Sequence, residues 1–271
     1  MKEREIYPNP PIILVAVEVR HPSCDPLGAD QVTRLSACIR DALPLRSEVN
    51  MTAMAVQTGP NGQPIQQQAV VAAFPRWTSR DKRTALTVRP DGFVIETTKY
   101  GSYDRVRELV SLVLEALLAV AAPTGVERIG LRYIDEIRVP AENGESRPAW
   151  KEWVDAALIG PTHIGANLGL APTGSEGLVV FSRDDNRTLV LRYGAQDDYV
   201  IQSTPELRRP LPPPGPLFKL DVDSFWQAVE EVPEFCPDVI LGLTDELHEP
   251  VRGVFESLIS DRLREEVLRR D

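Results

Sequence analysis

Closely spaced charged side chains mark the segment RIGLRYIDEIRVP, at residues 128–140. Its alternation of apolar and polar residues predicts a β-strand with two different faces. Ile129, Leu131 and Tyr133 lie on the apolar face. Arg132 and Glu136 lie on the polar face, two pleats apart, so each reaches a partner on a neighbouring strand more easily than it reaches the other. These two side chains either recognise another molecule or face water.

A second segment, RTLVLRYGAQ at residues 187–196, repeats the tripeptide LRY in the same alternation phase. It places Arg192 in the position equivalent to Arg132. Two interpretations stay open: the polar faces are solvated surface, or Arg132, Glu136 and Arg192 form a recognition surface. The shared tripeptide is also consistent with a decayed duplication.

Paired carboxylates occur in LDVDSF, where strand alternation places Asp221 and Asp223 on the same side. Two carboxylates in this arrangement can share a divalent cation such as Mg²⁺ or Mn²⁺. Together with Asp135 they would suit a metal-dependent enzyme acting on nucleotides or phosphoesters. The alternative is that both aspartates face water or cap a helix starting at Ser224.

The segment FPRWTSRDKRTALTVR, at residues 74–89, is the best candidate for nucleic-acid binding. Its basic residues, among them Arg80 and Arg83, surround Trp77, whose ring could stack on a base. In a hairpin, the same charges are also typical of a solvated face. The chain has 30 Lys and Arg against 40 Asp and Glu, and the net charge of −10 disfavours nonspecific binding to nucleic acid or anionic membrane.

Motifs for other chemistry do not occur. His21, His163 and His248 have no HxH or HExxH spacing, which argues against a zinc site. The sequence contains no GxSxG, GxGxxG or GxxxxGK[ST]. We therefore expect no cofactor.

Composition predicts a soluble globular protein. With 271 residues, 42% of them hydrophobic, the chain can bury a sizeable core. The three cysteines have no CxxC spacing, so we expect reduced thiols acting as small core residues in a cytoplasmic protein. The N-terminal apolar run contains Glu18 and predicts a strand rather than a signal peptide. The most apolar helical stretch carries Glu108 and Glu115, so we expect no membrane span.

The order of the predicted elements defines the fold class. A strand at residues 13–20, a helix from Gly28, a hairpin at residues 85–100 and a long helix at residues 103–122 fit helices covering one face of an antiparallel sheet. ENGESRP, at residues 142–148, is interpreted as an exposed linker. We therefore predict an α+β protein with mainly antiparallel sheets packed against helices, in two similar-sized domains at residues 1–140 and 141–271.

The C-terminal half predicts a short helix near AWKEWVDAALI and a strand pair turning at Asp185-Asn186. RRPLPPPGP, at residues 208–216, is either a surface connection or a recognition segment with extended backbone. The tail from Asp238 has helical periodicity, which Pro250 should kink or divide. Self-association through these C-terminal helices is a further prediction.

Three segments resemble a sporadically distributed, uncharacterised family of bacterial proteins of similar length. They are KYGSYDRVREL, RIGLRYIDEI and LHEPVRGVFESLISDRLRE, which match a tyrosine-rich turn, a RIGLRYIN-type strand and a C-terminal LH…F…IT segment. Asp135 stands where asparagine is frequent, and Ser260 where threonine is frequent. The resemblance brings no catalytic residues, and the patchy distribution of the family implies a role in accessory or defence loci.

Our leading hypothesis is a non-enzymatic cytoplasmic protein that recognises another protein. The metal-dependent enzyme is the alternative, and nucleic-acid binding is a third possibility.

Overall fold

The computed structural model describes residues 6–58, 64–140, 147–170, 172–183 and 185–270. Most of the predicted linker at residues 142–148 lies outside them. The nine strands are β1 Ile12–Arg20, β2 Leu45–Thr58, β3 Pro64–Thr78, β4 Thr84–Arg89, β5 Gly92–Thr97, β6 Arg128–Ile137, β7 Gly177–Arg183, β8 Arg187–Gln196 and β9 Leu217–Gln227. The three long helices are α1 Ala29–Ile39, α2 Tyr103–Val120 and α3 Pro237–Leu258. The remaining helical turns are Trp150–Glu152, Ala156–Leu158, Gly160–Leu168, Asp261–Leu263 and Arg264–Leu268.

The nine strands of the described residues form a single antiparallel sheet in the order β2-β3-β4-β5-β1-β6-β9-β8-β7. The α+β class with a mainly antiparallel sheet is therefore confirmed. The division into two domains is not confirmed. Strand β6 pairs with β1 on one side and with β9 on the other, so the sheet continues across the predicted boundary.

The helices cover one face of the sheet, and the hydrophobic core lies beneath them. Alternation places Val15, Val17 and Val19 of β1 and Ile129 and Leu131 of β6 on this face, where all are buried. Helix α1 adds Val32, Leu35 and Ile39 to the core, and α3 packs against β6 and β9. We call this side the helix face and the opposite side the open face.

The order of elements repeats within the chain. The first half runs β1, α1, β2, β3, β4, β5, α2, and the second runs β6, three short helical turns, β7, β8, β9, α3. Outward from the centre of the sheet, β1 is followed by β5, β4 and β3, and β6 is followed by β9, β8 and β7. The first half continues with β2 beyond β3, whereas no described strand follows β7. The two LRY strands, β6 and β8, lie in the same half and on either side of β9, so the shared tripeptide does not mark equivalent positions of this repeat.

Two predicted turns are confirmed. Strands β4 and β5 are joined by a turn at Pro90 and Asp91. Gly92 begins β5 with φ of 154°, and a Cβ on it would lie 2.4 Å from the carbonyl oxygen of Val19. Asn186 joins β7 to β8 in the left-handed region, with φ of 63°. Both hairpins therefore have the local backbone that their sequences favour.

The proline-rich connection from β8 to β9, residues 197–216, lies along the open face, and we call it the crossing segment. The backbone amide of Arg208 donates to the carbonyl of Lys82, and the hydroxyl of Thr98 donates to the carbonyl of Arg208. The Arg209 side chain is buried. The predicted surface connection is therefore hydrogen-bonded to the sheet and covers part of its open face.

Other sequence expectations are corrected. Cys24 and Cys38 are exposed rather than core residues, while Cys236 is half-buried, and all three are free thiols. The predicted short helix near residue 150 consists of short 3₁₀ turns. Helix α3 runs through Pro250, so the predicted division of the helix does not occur. Among the described residues, no helix has both the length and the apolar character needed to cross a membrane.

Candidate functional site

Arg132 lies on the open face, as predicted, and pairs with Asp221 on the neighbouring strand β9. Its Nε and one Nη donate to the two carboxylate oxygens at 2.7 Å each. The Asp221 side chain is only 5% exposed, whereas that of Arg132 is 43% exposed. The guanidinium therefore keeps one side open to solvent while it neutralises a buried carboxylate.

Further charges extend this arrangement along the open face. Asp223 lies 3.6 Å from a guanidinium nitrogen of Arg128, which also donates to Glu18. Burial alone would raise the pKa of Glu18, but Arg89 and Arg128 outweigh it and the pKa is lowered. Burial raises the pKa of Asp223 against the opposing effect of Arg128, Arg132 and Arg192. The open face thus carries alternating, largely mutually neutralised charges.

The geometry does not favour the metal-dependent enzyme. Asp221 and Asp223 share one face, as alternation predicts, but both lie beside arginines. Asp135 points to the helix face, so the three carboxylates do not converge. In the described part of the chain, no group of three or more His, Cys, Asp or Glu side chains is placed to hold a metal ion.

Glu136 is buried beneath the crossing segment. Its carboxylate accepts from Nη2 of Arg209 at 2.9 and 3.0 Å, from Nε of Arg138 at 2.9 Å and from the backbone amide of Val200 at 3.2 Å. The Glu136 and Arg209 side chains are each 2% exposed. Glu136 therefore anchors the crossing segment, and the structure does not place it on one accessible surface with Arg132 and Arg192.

The predicted nucleic-acid residues are not brought together. The Trp77 ring is buried on the helix face, where its indole nitrogen donates to Ser36 at 2.8 Å. Arg83 donates to the carbonyl of Thr98, and Arg80 lies exposed in the turn before β4. Because the Trp77 ring is buried, the segment cannot use it to stack on a base.

A cavity of about 210 Å³ lies on the helix face, between the start of α2, the middle of α3 and strand β6. All three segments that carry the family resemblance line it. The tyrosine-rich turn contributes Tyr100 and Tyr103, the RIGLRYIDEI strand contributes Tyr133 and Asp135, and the C-terminal segment contributes His248. The sequence analysis assigned none of these tyrosines to a site. The signal it offered was that all of them lie in the segments that carry the family resemblance.

Contacts between aromatic rings fix one wall of this cavity. The Tyr103 ring stacks on His248 with 3.8 Å between centroids and 3° between planes. The Tyr133 hydroxyl lies 3.2 Å from Nδ1 of His248, and the Tyr100 ring meets that of Tyr133 edge to face. The Tyr103 hydroxyl donates to Asp245 at 2.8 Å. These contacts hold the wall in one arrangement.

Asp135 forms the polar end of the cavity. Its side chain is buried, and its Oδ1 makes no hydrogen bond. Burial, with a smaller effect of Asp221, raises the pKa of Asp135 to about 8. A carboxyl group with a strongly raised pKa at a cavity marks a candidate functional position.

Strand β7 ends the sheet: no strand of the described residues pairs with its outer edge, and apolar side chains are exposed on both of its faces. Leu178, Val180 and Phe181 are 59%, 54% and 51% exposed. A groove of about 220 Å³ lies beside Phe181, lined by Leu189 of β8 and by Leu247 and Val254 of α3. Edge strands of this length usually carry charges that prevent pairing, and the middle of β7 carries none.

No protein-family model and no curated protein matches the chain. Among solved structures, Methanococcus jannaschii TBP is similar, with 13% sequence identity over 89% of this chain and 99% of that chain, and with a TM-score of 0.24. A similarity of this size supports no inference about function, so the geometry alone guides the proposals below.

Proposed function

We propose that the protein is a non-enzymatic, cytoplasmic protein-binding module that adds an extended segment of a partner protein to its sheet at β7. The observation that carries this proposal is the outer edge of β7, which no described strand covers and which has no charged residue before Arg183. An added strand would use the free backbone groups of β7 for affinity, and its alternate side chains would meet the exposed apolar residues. A role in accessory or defence loci would agree with such recognition.

The internal repeat supports a strand as the occupant. In the first half of the sheet, β3 pairs with β2 along fourteen register positions. No described strand of the second half takes the corresponding place beside β7. The groove beside Phe181 supplies a pocket for a side chain of the partner, which points to an extended segment with apolar residues at alternate positions.

The test compares Val180→Lys with wild type in affinity capture from cells that naturally make the protein. We expect one protein to be retained stoichiometrically by wild type and lost with Val180→Lys, because a buried unpaired lysine opposes strand addition. Hydrogen exchange of the purified complex should then show slowed amide exchange in β7.

Two further variants distinguish partner binding at β7 from partner binding at the open face. Val180→Ile keeps the apolar β-branched side chain and should retain the partner, and Arg132→Ala changes only the open face. Loss of the partner with Arg132→Ala but not with Val180→Lys, in variants with native circular dichroism spectra, would contradict binding at β7. A complex in which β7 amides exchange as fast as in the free protein would also contradict it.

Sedimentation of the isolated chain tests the other possible occupant of the edge. A dimer that dissociates with Val180→Lys would mean that a second copy, rather than a different protein, covers β7. Self-association through the C-terminal helices predicts instead a dimer that is insensitive to Val180→Lys. Helix α3 packs its buried residues against the sheet of its own chain.

A further inference from the structure

We infer that the cavity between α2, α3 and β6 binds a small organic amine, with the ammonium group against the Asp135 carboxyl and the apolar part among the tyrosine rings. This site lies on the helix face and is separate from the edge of β7. The inference therefore does not depend on the proposed protein partner.

The unpaired oxygen of Asp135 is the first observation. A buried acceptor without a hydrogen bond costs free energy, about 1–3 kcal/mol for a neutral group and more for a charged one. Asp135 is 3% exposed, lines the cavity, and has no hydrogen-bond partner at Oδ1. A donor supplied by a ligand would remove this cost.

The unpaired oxygen of Asp135 also selects the kind of donor. Glu256, the half-buried carboxyl group in the described lining, already accepts from the Tyr7 hydroxyl at 3.0 Å and from Nε of Arg264 at 3.3 Å. The carboxyl group left to bind a ligand is that of Asp135, which attracts an ammonium and would repel a carboxylate or phosphate.

The aromatic side chains select an amine with an apolar part. Tyr100, Tyr103 and Tyr133 line the cavity together with Phe255 and Val251. Aromatic faces attract cations, and apolar side chains favour burial of a hydrocarbon chain. The volume of about 210 Å³ equals that of several water molecules at about 30 Å³ each, which is enough for a small molecule.

Binding of an ammonium is linked to the ionisation of Asp135. The titratable and charged groups near the Asp135 carboxyl come from every element around it. They are Tyr133 on β6, Asp221 on β9, Tyr100 and Tyr103 at the start of α2, and His248 and Arg252 on α3. With a pKa of about 8, the carboxyl is mostly protonated at pH 7. An aliphatic ammonium stays charged up to about pH 10, so we expect affinity for the amine to rise about tenfold from pH 7 to pH 9.

The test is calorimetric titration of the full chain with n-butylamine, 1-butanol and butyrate. We expect n-butylamine to bind, with release of a proton at pH 7 seen as a dependence of the heat on the buffer. The Asp135→Asn variant should bind it roughly tenfold or more weakly, since a charge-assisted hydrogen bond is lost. The isosteric shape of asparagine keeps the cavity wall in place.

Asp104→Asn is the matched control, because Asp104 lines the same cavity but is exposed. It should change the affinity less than twofold. Equal binding of n-butylamine by wild type and Asp135→Asn, tighter binding of butyrate than of the amine, or no binding of any of the three molecules would each overturn the inference.

Discussion

Replacing Glu136 by alanine is expected to destabilise the protein by about 3–5 kcal/mol, because it leaves the Arg209 guanidinium buried without an anionic partner. Arginine cannot relieve this cost by losing its proton at ordinary pH. The Nε and Nη1 atoms of Arg209 already lack hydrogen-bond partners, so the two bonds to Glu136 are its main compensation. Urea unfolding of wild type and variant measures the difference.

A double-mutant cycle separates the ion pair from other effects of the substitution. Arg209→Met alone leaves Glu136 with Arg138 and the amide of Val200, so we expect it to cost less than Glu136→Ala. The double variant should recover part of the loss, since no unpaired charge is then buried. In both single variants, protease should cleave the crossing segment faster than in wild type.

Lys99→Ala provides the control for an exposed ion pair. The Lys99 and Asp81 side chains are 60% and 43% exposed, and removal of such a pair costs at most about 1 kcal/mol. If Glu136→Ala costs no more than Lys99→Ala, the buried pair does not hold the crossing segment on the sheet.

Asp135→Asn is expected to stabilise the protein at pH 9 and to have little effect near pH 4. In the unfolded chain, Asp135 loses its proton near the ordinary value of 3.8, whereas in the folded chain burial raises the pKa to about 8. Between these values the folded state binds more protons than the unfolded state. Stability therefore falls as pH rises through this window and levels off above it.

The size of this effect follows from the same linkage. One pKa unit corresponds to about 1.4 kcal/mol, so the shift sets an upper limit of roughly 6 kcal/mol for the penalty above pH 8. Thermal unfolding of wild type and Asp135→Asn across pH 4–9 measures it. The unfolding temperatures of the two proteins, plotted against pH, should move apart as the pH rises. Parallel plots would show that Asp135 ionises in the folded state as it does in water.

Local patterns determined much of the architecture. The alternation of Ile129, Leu131 and Tyr133 predicted which face of β6 is buried, since a strand turns successive side chains to opposite sides. The hairpins at Gly92 and Asn186 followed from residues that accept unusual backbone angles. The α+β class followed from the order of helical and strand periodicities.

Tertiary structure decided which of the charged residues are accessible. Arg132 and Glu136 stand four positions apart on one face of one strand, yet Arg132 is half exposed and Glu136 is buried. The difference arises because the crossing segment, more than 60 residues further along the chain, covers only one of them. No pattern within the strand carries that information.

The cavity was likewise invisible to local patterns. Tyr103, Asp135 and His248 come from three distant segments, and only the packing of α2 and α3 against β6 brings them together. The same packing removes water from Asp135 and leaves its Oδ1 unpaired. By itself, the sequence determined the strands, helices and buried faces, because these depend on neighbouring residues. The candidate sites depend on contacts between distant segments, so only the tertiary structure decided them.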